Sequence, residues 1–449
     1  MRGVRVPTSL KIKLQRLIFL LSLASFLFGC SKQEAVRLRL MFWADDAAFS
    51  RMKQQAAIFE EQNHGIRVEL IRTATHRAYL EEILKEVSKG AMPDVFALDL
   101  SDFAQMRSKG LLHDISGRAD DLFDFQPRLT ECFFQDNRLW AVPAACSTQV
   151  LYFNKRKFDR AGIPYPSDSW DWGDLKQAAE RLTLMEEGSE RMIQYGLDLD
   201  PDMSAWAPFV WQNGGEIFDP DTGRWLLGSP AMLERNAAAL QFYVDLIYES
   251  RVAQAKSTLA AADSPEPPLE KRFSAMMFAG RSLAAQLQKK EGLGWDVSPM
   301  PRNRRRATTL LVQGYGISSF TQHLEEAWKL VRFLTGPTSQ TKLAMSGTSI
   351  PARVSAAQSR VFLDFPGKLS INNRAFIDSL YYARPLQATP LWAEIERIVA
   401  EETDLLFSAG KDSARDSLIR AQGRIDKLTA ATQVPHLSAP SERKTMKKK

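Results

Sequence analysis

The chain has 449 residues, 45% of them hydrophobic and 25% charged, a globular composition too long for one ordinary core and therefore expected to form two lobes. Its formal charge of +6 comes from the ends, because between residues 30 and 441 there are 49 basic residues against 52 acidic ones. A near-neutral body excludes a nucleic-acid binder, which would carry a basic patch on its folded domain, and no run of 18 apolar residues after residue 30 offers a spanning helix.

Residues 1–29 read as a targeting segment. Arg2, Arg5, Lys11, Lys13 and Arg16 form a basic start without acids, and Leu17 to Phe28 is an apolar stretch too short to span. It ends at Leu27-Phe28-Gly29-Cys30, which resembles a bacterial lipobox and implies lipidation at Cys30, although Phe28 stands where a small residue is usual. A linker over 30–35 would lead into the folded body. Export permits a disulfide between the two remaining cysteines, Cys132 and Cys146, and the sequence leaves open whether they pair.

Val36 to Trp43 reads as a buried strand, and Phe49, Met52, Ala56 and Phe59 then mark one face of a helix that stops at Asn63-His64-Gly65. Ile66, Val68 and Leu70 alternate as a second strand. Tyr79, Ile83, Leu84 and Val87 form another helical stripe, and Val95 to Leu98 is a third strand. This β-α-β-α-β order predicts a parallel sheet covered on both faces. Further on, Arg138–Val142 and Gln149–Phe153 read as strands, and Pro230–Tyr248 as a long helix capped by Ser229. Residues 256–268 read as a surface loop. Strands Trp295–Ser298 and Thr309–Ser319 flank the basic stretch Arg302–Arg306, Leu324–Leu334 is helical, and helices run on to about residue 432 before a basic tail, 433–449.

Several segments, in this order, resemble the bacterial extracellular solute-binding proteins that include the maltose-binding protein. They include Phe42-Trp43-Ala44-Asp45-Asp46, Gly90-Ala91-Met92-Pro93-Asp94-Val95, Leu139-Trp140-Ala141-Val142-Pro143, Leu151-Tyr152-Phe153-Asn154-Lys155, Asn213-Gly214-Gly215 and Ile350-Pro351-Ala352-Arg353. The resemblance implies an α/β, two-lobed, type II periplasmic-binding-protein fold, with the ligand cleft between lobes and hinge crossings near 145–149, 299–303 and 348–354. One lobe would comprise 36–145 with 304–350 returning to it, the other 146–303 with 351–432 returning. The implied function is capture of a small polar solute, a sugar or oligosaccharide, for the permease of an ABC importer, by a protein anchored by lipid in the periplasm or at the cell surface.

Ligands of open α/β sheets bind beyond the carboxyl ends of the strands, which here bring Trp43 and Asp45 beside Asp99. A sugar stacks its C–H face on an aromatic ring and donates its hydroxyls to carboxylates. Both Asp45 and Asp99 also suit helix N-capping. The resemblance places Ser147 where the family has a ligand-contacting acid and Arg281 on a ligand-facing loop. Trp206, Trp211 and Trp392 are candidate cleft indoles, with helix packing as the alternative. Tyr315 sits between Gly314 and Gly316, which would let backbone approach a ligand. No metal-type Cys/His cluster is present and no cofactor is expected. A catalytic role is not expected either, since no nucleophile elbow, HExxH, P-loop or dinucleotide fingerprint occurs. Two other classes stay open: a secreted glycoside hydrolase with a carboxylate pair, and an adhesin-type surface lipoprotein with an exposed apolar patch.

Overall fold

The computed structural model describes residues 35–118, 122–189, 191–256, 274–287, 294–364, 371–386 and 389–432. The targeting segment with Cys30, most of the 256–268 loop and the basic tail lie outside the described residues.

The opening β-α-β-α-β unit forms as its patterning demands. Strand β1 (Val36–Trp43) leads to α1 (Asp46–Gln62), β2 (Ile66–Thr73), α2 (His76–Ser88), β3 (Val95–Asp99) and α3 (Leu100–Ser108). Strand β1 pairs in parallel with both β2 and β3, so Trp43 and Asp99 end their strands on the same edge. The sheet is completed by β4 (Ala141–Thr148) and later strands.

Only Gln149 separates β4 from β5 (Val150–Asn154), which belongs to a second sheet. That five-stranded sheet adds β6 (Met192–Asp198), β7 (Ser274–Ala279), β8 (Trp295–Ser298) and the edge strand Leu184–Met185. The chain then returns to the first sheet as β9 (Thr308–Ile317), which lies antiparallel between β3 and β4. Strands β10 (Ile350–Pro351) and β11 (Ala383–Pro385) also join the first sheet, the latter in parallel with β9. The expectation that the chain leaves the first lobe near 348–354 is therefore corrected, because ladder bonds hold residues 383–385 to its sheet. Only the helices after them, Trp392–Ala409 and Ala414–Thr432, pack into the second core.

The second lobe is built on helices. Met203–Gln212 is buried nearly all round, as its apolar run requires. The expected long helix starts at Leu233 rather than Pro230, with Met232 at the cap and no capping side chain; Ser229 instead accepts the amide of Leu233 through its carbonyl. Pro208 lies inside Met203–Gln212 and removes the amide that would bond the Ser204 carbonyl. The fully buried Thr309 of β9 fills that role, its hydroxyl donating to Ser204 O at 2.8 Å. A proline in one lobe is thus matched by a threonine on the returning strand. Thr309→Val should cost about 1–2 kcal/mol, since it leaves the carbonyl unsatisfied at nearly constant volume; an unchanged urea midpoint would contradict this.

Candidate functional site

The shared edge of β1 and β3 carries a compact polar and aromatic group. The His76 ring packs on Trp43, with centroids 4.7 Å apart and planes at 64°, while Tyr79 lies 4.8 Å from Trp43. His76 Nε2 is 2.7 Å from Asp102 Oδ2 and 3.7 Å from Asp99 Oδ2. Asp45 is exposed and caps α1, accepting the amide of Ala48 at 2.7 Å. Asp99 holds the equivalent position at the start of α3, yet makes no capping bond; its carboxylate bonds Gln313 and faces His76.

The opposing lobe adds more acid. Glu396, on the helix Trp392–Ala409, acts electrostatically on both His76 and Asp102, and Asp202 acts on Glu396. Both Asp202 and Glu396 reach solvent, yet partial desolvation, with the repulsion of neighbouring acids, raises each carboxyl above its usual range. Burial, with Asp102 beside it, also lifts Asp99 to about 6 against the pull of His76. Burial works against the imidazolium of His76, but its hydrogen bond to Asp102 and the charges of Asp102, Asp99 and Glu396 hold its pKa above the ordinary value.

Leu100 and Leu310, the sequence neighbours of Asp99 and Thr309, line a cavity of about 1120 Å³ between the lobes. Its aromatic surfaces are Phe103, Phe134, Trp211, Phe218 and Tyr382, and its polar surfaces include Arg128, Glu131, Gln135, Glu216, Arg305, Arg306 and Arg384. Arg384 grips Glu216 with both nitrogens at 3.0 and 2.6 Å and lies 5.0 Å from the Trp211 ring centre. Arg305 reaches the same carboxylate at 2.7 Å. Burial pushes the Glu216 carboxyl up, but the two guanidinium groups outweigh it and the net pKa falls below the usual range.

Of the candidate residues, Trp211 lines this cavity, while Trp43 and Asp99 group with His76 at the strand-end edge. The structure uses other candidates for packing. Trp206 is fully buried in the second core, and Trp392 is buried there 5.9 Å from Trp225. Arg281 does not stand on a loop: it opens the helix Arg281–Leu287 and is fully buried, with its guanidinium between Phe362 and Phe376 at 5.2 and 5.3 Å. Burial lowers its pKa to about 10. Ser147 Oγ accepts the Arg281 amide at 3.1 Å. Tyr315 is partly buried on β9 against the first core, and burial raises its phenol to about 12. Gly314 is needed for packing, because an added Cβ would stand 2.7 Å from the Val142 carbonyl and 2.8 Å from the Phe133 ring. Cys132 and Cys146 are free thiols whose pKa values burial raises, that of Cys132 to about 12.

His76, Asp102, Glu216, Arg384 and Glu396 were missed by the sequence reading. Asp102 had a legible signal, one helical turn beyond Asp99 on the same face; the others come from distant segments that only the tertiary fold aligns.

A family model described as bacterial extracellular solute-binding protein matches residues 43–341. A galactooligosaccharide-binding protein of Bacillus subtilis is 19% identical over 311 residues, 68% of this chain and 70% of that protein. Among solved structures, an ABC substrate-binding protein of Listeria monocytogenes in complex with cycloalternan superposes with a TM-score of 0.76 at 23% identity, covering 88% of this chain and 99% of that one. Maltose-bound MalE3 of T. maritima gives 0.73 at 21% identity, covering 88% and 100%. These likenesses identify the two-lobed fold.

Proposed function

Because the chain belongs to the bacterial extracellular solute-binding proteins, we propose that it captures a sugar or oligosaccharide outside the cytoplasm and hands it to the permease of an ABC importer. Anchoring through Cys30 belongs to the same reading. The observation that supports it is an aromatic and acidic group at one strand-end edge, with Trp43 against His76 and His76 beside Asp99 and Asp102, within electrostatic reach of Glu396 from the second lobe. Such a wall packs a sugar's C–H face and accepts its hydroxyls. Trp211 and Tyr382 offer further rings along the cleft, which suits more than one sugar unit. Solutes in the similar proteins, cycloalternan, maltose and galactooligosaccharide, are of this class.

The mechanism is capture by closure. Contacts from both lobes favour the closed state, and the crossings at Gln149, 299–307 and after Pro385 absorb the rotation. Binding without turnover is the proposed role. Thermal melting with a panel of mono- and oligosaccharides should show one or more solutes stabilising the chain, by about 2.7 kcal/mol at a hundredfold excess over Kd, and recovered unaltered after incubation. A panel without effect would count against the sugar reading; consumption of the solute would favour an enzyme.

A further inference from the structure

We propose that His76, Asp99 and Asp102 form a divalent-cation site on the cleft wall, suited to Zn²⁺. One imidazole nitrogen and two carboxylate oxygens converge there, all within 4.8 Å of one another. Ions bound at about 2.0–2.1 Å in tetrahedral geometry place neighbouring ligand atoms roughly 3.3 Å apart. The observed separations from Nε2, 2.7 and 3.7 Å, bracket that value, so the imidazole already stands near coordination spacing from each carboxylate.

Three further features fit a coordination site better than a chance ion pair. Asp99 stands at a helix start but leaves the cap unmade and turns to His76. The imidazole is fixed by a T-shaped contact with Trp43 and by Tyr79, stacked 6.0 Å away at 18°. Gln313, the cross-strand neighbour of Asp99 on β9, hydrogen-bonds the Asp99 carboxylate, as outer-shell groups do around metal ligands. One nitrogen with two oxygens suits Zn²⁺ or Mn²⁺, whereas Ca²⁺ takes six to eight oxygens. Three protein ligands leave a position open, and Glu396 is a further acid whose charge acts on His76 and Asp102.

The test uses the untagged chain, stripped with EDTA and titrated with ZnCl₂ by calorimetry, without solute. One equivalent should bind with micromolar or tighter affinity and raise the melting temperature. His76→Ala and the near-isosteric Asp102→Asn should each weaken binding at least about 100-fold, and Gln313→Leu about 10-fold or more, while melting in EDTA shows each variant folded. Absence of Zn²⁺ binding to the wild type, or equal affinity in folded His76→Ala and Asp102→Asn, would overturn the site. Solute binding by the EDTA-stripped chain is read separately, so losing the cation site would leave the sugar reading standing.

Discussion

Replacing Trp43 with leucine is expected to weaken solute binding about 10- to 100-fold while the protein stays folded. The magnitude follows from losing one sugar-facing ring, roughly 1.5–3 kcal/mol of apolar burial and stacking, at 1.4 kcal/mol per tenfold. Leucine keeps an apolar group against the partly buried surroundings of Trp43, so the melting temperature of the free protein should fall only modestly. Titration calorimetry with the solute found by melting gives the comparison. Equal affinity in the two proteins would remove Trp43 from the site.

The second large effect concerns stability and pH. Glu216 is the shared partner of Arg305 and Arg384, two cations that would face each other unbalanced without it. Glu216→Ala should destabilise the chain by about 1.5–3 kcal/mol at neutral pH, a figure below that of a fully buried pair because the carboxylate is 25% exposed. The folded-state pKa of Glu216 lies below its ordinary value, so its contribution is present above an unfolded value near 4.3 and vanishes as pH falls through the folded value. The gap between wild type and variant should therefore be constant near pH 7 and close below about pH 4. Urea unfolding at several pH values would measure it, and a gap that widens in acid would contradict the sign.

Local patterning made much of the fold legible. The alternation of Val36–Trp43 and the stripes around Phe59 and Ile83 became β1, α1 and α2 because those faces had to be buried. The start of the helix at Leu233 and the return of residues 383–385 to the first sheet were not legible, since both depend on contacts made far away in sequence. The site divided in the same way. That Trp43 and Asp99 end neighbouring strands on one sheet edge was readable, because the β-α-β-α-β order makes β1 and β3 parallel. Arg281 was read as a ligand contact from its place after Phe278-Ala279-Gly280, but two phenylalanines about 80 and 95 residues on enclose it. Local sequence cannot distinguish a guanidinium stacked inside a core from one facing a ligand. His76 opens a helix like many exposed histidines, and its role comes only from Trp43, Asp99 and Asp102 around it.

Small-angle scattering of the chain with and without its solute tests the closing cleft most directly. A radius of gyration that shrinks on saturation, for wild type and not for Trp43→Leu at the same solute concentration, is the predicted outcome. A profile that saturating solute leaves unchanged would mean that the two lobes do not shut around what they bind.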